Sequence, residues 1–155
     1  MGITIHYAGR ASSEESIEAL FEQSIEMGKE FGWLGTVPER SLRREQGISF
    51  LPHAECEPVH LWFTPTRRFS DFCKTQFAGP AVHRQVLEFF RRLEPHYSKL
   101  VIYDESEDFE VEGDSERLER AFEIALEHIK QGLADHPGCE MQVRLPSGRI
   151  ADLIE

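Results

Sequence analysis

Two segments with helical spacing each sit between segments with strand alternation, and that order limits the possible folds more than any other feature of the chain. Ile17, Leu20, Phe21 and Met27 or Phe31 recur on one helical face, with Ser24 in the same row, and Val82, Val86, Phe89, Phe90 and Leu93 do the same. Ser12 and Glu15 have the spacing of a capping box, so the first helix is expected to start near Ser13 and to close at Gly32 or Gly35. Pro80 suits the first turn of the second helix, which is expected to stop near Pro95. Ile3-Thr4-Ile5-His6-Tyr7 alternates as an opening strand. Between the helices, residues 47–51 and 58–64 read as the two strands of a hairpin, residues 36–46 as a polar loop, and residues 65–79 as the least regular stretch. Lys99-Leu100-Val101-Ile102-Tyr103 reads as a buried strand.

A third helix is marked by Leu118, Ala121, Phe122, Ala125, Ile129 and Leu133, capped by Asp114 or Ser115 and broken by Pro137-Gly138. Residues 139–145 alternate as a last strand, and an apolar tail runs from Ile150 to Ile154. The order β-α-β-β-α-β, then α-β, predicts one α+β domain over residues 1–155. The expected frame is a ferredoxin-like βαββαβ sandwich extended by a C-terminal helix and strand.

Charge separates this chain further. Its 155 residues carry 28 Asp and Glu against 17 Lys and Arg, a formal net charge of -11. A general nucleic-acid binder is basic, so nucleic acid is not the expected partner. Hydrophobic residues make up 40% of the chain, too many for a disordered one. No run reaches the roughly 18 apolar residues of a membrane span, and the first residues lack the pattern of a signal peptide. Three cysteines without a C-x-x-C pair fit a reducing cytoplasm. The excess charge is uneven. Residues 1–45 carry -3, residues 46–103 carry +2 and residues 104–155 carry -10. Asp104, Glu105, Glu107, Asp108, Glu110, Glu112, Asp114 and Glu116 lie together without a base among them. The run reads as a solvated lead into a helix N-terminus, as a divalent cation site, or as a docking surface for a basic protein partner. It is no EF-hand, because Phe109 and Ser115 stand where that loop needs Gly and Glu.

Other candidate chemistry is sparse. His53, Cys56 and His60 have ligand types that suit zinc, but they are only three, and no metal set is assigned. Cys73 near His83 lacks the signature of a thiol nucleophile. Arg67, Arg68, Lys74, Arg84, Arg91 and Arg92 interleave with aromatics, a pattern that either binds nucleotides or single strands or pairs internally with the many carboxylates. His6, Ser49, Leu51, His60, Trp62 and Tyr103 fall on the sheet face away from the helices. Of these, His60, Trp62 and Tyr103 are the expected contacts of a homodimer, unless the C-terminal tail covers them.

Three strings carry a resemblance. The opening Gly2-Ile3-Thr4-Ile5-His6-Tyr7-Ala8-Gly9, the motif Lys74-Thr75-Gln76-Phe77-Ala78-Gly79 followed by His83, and Asp104-Glu105 with Phe109-Glu110 and Asp114 resemble a family of small uncharacterised bacterial proteins. The resemblance brings no activity and no cofactor. It implies that Lys74, Gln76, His83, Asp104 and Glu105 form the set to follow, as a structural clasp or as a small polar pocket. The leading expectation is a cytoplasmic bacterial binding domain without catalysis. The alternatives are a small enzyme with a polar, metal-assisted site built from that set, and an acidic partner-binding protein of the immunity or inhibitor type.

Overall fold

The computed structural model describes residues 2–106 and 115–153. Strand β1 (Thr4–Ala11) lies at the centre of an antiparallel three-stranded sheet, between β6 (Arg68–Lys74) and β7 (Tyr97–Asp104). Helix α1 (Glu14–Phe31) follows β1. Its N-cap is Ser13, whose Oγ accepts the Ser16 amide, one residue later than the capping-box spacing implied. Gly32 ends the helix at φ 72°, a left-handed conformation that glycine adopts without a Cβ clash. Helix α2 (Pro80–Leu93) starts at Pro80 as expected.

The expected hairpin is present as β4 (Gln46–Leu51) paired with β5 (Val59–Phe63); the short strand β3 (Glu39–Arg40) flanks β4 from inside the stretch expected to be loop, and β2 (Leu34–Gly35) flanks it from just before that stretch. The larger correction is β6. The stretch expected to be irregular holds a seven-residue strand paired along its whole length with β1. A tight turn joins β5 to β6, with the Thr64 amide donating to the Arg68 carbonyl at 2.8 Å. At the far end the Glu57 amide donates to the Lys74 carbonyl at 3.1 Å. Between these points the buried Tyr7 hydroxyl accepts the His60 amide at 3.0 Å. That contact satisfies a backbone donor where no strand does.

Alternation then sorts the side chains. Ile5, Tyr7, Ile48, Phe50, Val59, Leu61, Phe63, Phe69 and Cys73 face α1 and α2 and build the main core with Ile17, Leu20, Met27, Phe89 and Phe90. Helix α3 (Ser115–Asp135) buries Leu118, Phe122 and Ala125 against Ile3 in a second, smaller cluster. The expected last strand shortens to β8 (Val143–Arg144), which pairs with β9 (Ile150–Ala151) in the C-terminal tail. The mixed α+β class is therefore observed. Among the described residues no helix is long and apolar enough to cross a membrane.

Candidate functional site

The motif at residues 74–79 sits where β6 hands over to α2, and its first three side chains divide between the C-terminal tail and a buried histidine. Gln76 accepts the Ile3 amide at Oε1 (3.0 Å) and donates from Nε2 to Asp152 (2.6 Å). Lys74 donates to the Ile150 carbonyl (2.9 Å) and to Asp152 (3.2 Å). Thr75 turns inward, where its hydroxyl lies 2.8 Å from His83 Nδ1. The motif therefore fastens the start of the chain, the C-terminal tail and α2 to one strand end.

His83 is fully buried. Its Nε2 lies 3.1 Å from Asp104 Oδ2 and 3.0 Å from Ser106 Oγ, and Ser106 donates its own hydroxyl and amide protons to Asp104. Burial pushes the Asp104 carboxyl up, but the His83 hydrogen bond and charge, with the Ser106 donors, outweigh it and hold it below the ordinary aspartate value. A serine–histidine–aspartate relay needs the carboxylate on one ring nitrogen and the hydroxyl on the other. Here both groups meet Nε2, and Thr75 holds Nδ1. The arrangement closes a buried polar clasp that ties α2 to the end of β7.

The set carried by the resemblance is thus divided. His83 and Asp104 meet each other. Lys74 and Gln76 meet Asp152 in the tail, a partner the sequence reading did not name. Glu105 meets His6 at 3.3 Å on the sheet face. The residues missed are Thr75, Ser106, Asp152 and a second clasp around Glu57. That carboxylate is buried, and it accepts the amides of Lys74 (3.0 Å) and Ile150 (2.7 Å) and the Arg149 guanidinium (3.3 Å). Arg149 also pairs with Asp71 and lies 3.8 Å over the Phe72 ring. Its partners, Asp71 and Glu57, raise its basicity above the ordinary arginine value against the opposing effect of burial.

The remaining candidates scatter. His53 accepts the Glu55 amide, His60 bonds Ser49 Oγ at 2.7 Å, and Cys56 lies 3.5 Å from Cys73. The three zinc-type residues therefore do not converge. Cys73 donates to the Glu57 carbonyl, and burial, with Cys56 beside it, pushes its thiol well above the ordinary range. Much of the basic segment is engaged: Arg67 donates to the Ser12 carbonyl, Arg84 to Ser115 Oγ, and Arg92 grips both Glu30 oxygens at 2.9 Å. The acidic run from Glu107 to Asp114 lies outside the described residues, while its two described flanks, Asp104 and Ser115, both touch α2.

Among the described residues, much of the sheet face opposite the helices stays open. Pairing register puts its side chains in rows: Arg68, Arg10 and Lys99; then Ser70, Ala8 and Val101; then Phe72, His6 and Tyr103. Tyr103 is 64% exposed and Val101 50%. The first two rows, with Trp62 and Thr64 from β5 and its turn, line a depression of about 860 Å³. His60, Trp62 and Tyr103 share this face but form no single patch. Trp62 borders the depression, His60 is turned to Ser49, and Tyr103 rests against His6 two strands beyond β6. Among the described residues the tail reaches the Phe72 and Lys74 end of this face, through Arg149, Ile150 and Asp152. No protein family matches the chain, and neither does any curated protein or any solved structure.

Proposed function

We propose that this chain is a non-catalytic binding domain that works through its open sheet face, on a ferredoxin-like frame. The strand order β7-β1-β6, with β5 alongside β6 and two long helices packed on one side, supports that frame. The observation that carries the reading is the depression of about 860 Å³ on the free face, of the size that small-ligand sites have. The polar clusters elsewhere are closed by their own partners. His83 has both ring nitrogens engaged, and Lys74 and Gln76 hold the tail.

Amide resonances give the test. Anionic metabolites, acidic peptides and further copies of the chain are added in turn. A binder should move the signals of Ala8, Ser70 and Val101 while those of α1 and α2 stay in place. Shifts centred on Lys74 and His83 would overturn the reading in favour of a site at the motif. Self-association is a second reading, favoured by Val101 and Tyr103 standing exposed on β7, an edge strand. Light scattering of the wild type and of Trp62→Glu decides it, because a monomer in both removes the dimer.

A further inference from the structure

Arg10 is paired in register with Arg68 on one side and Lys99 on the other, so three exposed cations form one row across three strands. Like charges directly opposite each other in a sheet are destabilising. The chain has 28 carboxylate side chains, and among the described residues none is placed against this row. Among the described residues Glu45 is the one acid lining the depression, and it is met by the Ser41 hydroxyl. A second observation points to the same place. The Trp62 indole lines the depression and lies against Gly47, where a Cβ would come 2.3 Å from the ring. Glycine at that position is what lets a planar ring sit flat on β4.

We propose that this depression binds a nucleoside di- or triphosphate, with the phosphates along Arg68, Arg10 and Lys99 and the base against Trp62. The proposal rests on the sheet-face reading and names its ligand. Strands stand about 4.8 Å apart, so the row spans about 10 Å between its outer strands. That is too wide for one carboxylate and suits a chain of phosphates. Guanidinium groups meet phosphate oxygens two at a time, and an indole offers a face to any planar base. A long nucleic acid is also opposed by the net charge of -11 that the whole chain carries. A short ligand meets only the local row.

The chain has two tryptophans, so Trp33→Phe leaves Trp62 as the sole indole reporter. ADP, ATP, inorganic phosphate, a hexaglutamate peptide and a single-stranded oligonucleotide are titrated against it, with amide shifts read in parallel. ADP and ATP should give a saturable fluorescence change that weakens with salt, and Arg10→Ser or Arg68→Ser should each raise Kd about tenfold. Circular dichroism confirms that both variants are folded. The proposal is overturned by no saturable response to millimolar ATP, or by a response unchanged when Arg10 and Arg68 are both replaced. Inorganic phosphate binding as tightly as ATP removes the base contact, and an oligonucleotide binding more tightly than ATP removes the small ligand. Hexaglutamate moving Ala8, Ser70 and Val101 where ATP does not sinks the nucleotide and keeps the sheet-face reading. Shifts confined to the helices sink both.

Discussion

Lys74 and Arg68 stand at opposite ends of β6, on the same face of the same sheet, and meet opposite surroundings. Lys74 is covered by the tail, which brings it the Ile150 carbonyl and the Asp152 carboxylate. Two residues before Lys74, Phe72 carries the Arg149 guanidinium, itself held by Asp71 and Glu57. Arg68 has Arg10 beside it and Lys99 beyond, with no carboxylate against any of them among the described residues. A shortage of acids does not explain the difference in a chain of net charge -11. What differs is where the C-terminal segment lies. It closes one end of the sheet with matched charges and leaves the other end to solvent. A surface that keeps like charges adjacent gives up stability, and such trade-offs concentrate where a protein binds something.

The strongest way to break the comparison is to open the closed end. Glu57 is 1% exposed and accepts from two amides and a guanidinium. Glu57→Ala takes this acceptor from the Lys74 and Ile150 amides and leaves Arg149 with Asp71 and the Phe72 carbonyl alone. The expected loss is about 3–5 kcal/mol in urea unfolding, with faster amide exchange at Lys74 and Ile150. A loss within experimental error would mean that the tail rests on the sheet without fastening it, and the two ends would then differ only in appearance.

The sequence made part of this contrast legible. The spacing of Phe89, Phe90 and Leu93 and the placing of Pro80 defined α2, and the alternation of residues 47–51 and 58–64 defined the β4–β5 hairpin, because one period ruled each segment. Strand β6 was hidden by its own side chains. Phe72 and Asp71 exchange the usual places, the aromatic facing out under Arg149 and the acid turned toward the same arginine. Alternation of apolar and polar residues therefore fails across Arg68-Phe69-Ser70-Asp71-Phe72-Cys73-Lys74. His83 and Asp104 were legible as members of one set, though not singled out as each other's partner, while Glu57, Arg149 and Asp152 were not, since contacts spanning 76 to 93 positions leave no local pattern. The cation row was invisible for the same reason. Arg10, Arg68 and Lys99 become neighbours only when strand register sets them opposite one another.

The buried clasp at His83 sharpens the comparison through pH. The Asp104 carboxyl sits below its ordinary value in the folded chain, so the unfolded chain takes up its proton first as pH falls. Its contribution is complete above the unfolded aspartate value of about 4 and disappears as pH drops through the lower folded value. Asp104→Asn should cost about 1.5–3 kcal/mol at neutral pH and progressively less below that window. Urea midpoints of both proteins across pH 7 to pH 3 give the measurement. A difference that stays constant to the lowest pH would show that the charge on Asp104 plays no part.

A smaller effect separates charge from shape at the closed end. Arg149→Lys keeps the positive charge near Glu57 and Asp71 but removes the planar group that covers Phe72 and reaches the Phe72 carbonyl. The expected cost is about 1–2 kcal/mol, with Phe72 becoming more accessible. Full stability in the lysine variant would reduce the closed end to simple charge neutralisation.

The smallest effect falls at the open end and has the opposite sign. Arg10 stands between two cations, so Arg10→Ser removes both like-charge neighbours at once while deleting no described ion pair. Stability should rise by a few tenths of a kcal/mol at low salt, and the gain should shrink as added salt screens the row. Lys74→Ser, cut from the closed end of the same sheet, should lower stability in the same assay, because the Ile150 carbonyl loses the ammonium and Asp152 keeps only the Gln76 amide of its two side-chain donors. Opposite signs from two basic residues on one face separate a cation held for the fold from a cation held for a ligand. A loss in both variants would show that the Arg10 row supports the sheet, and the site proposed over it would lose its physical basis.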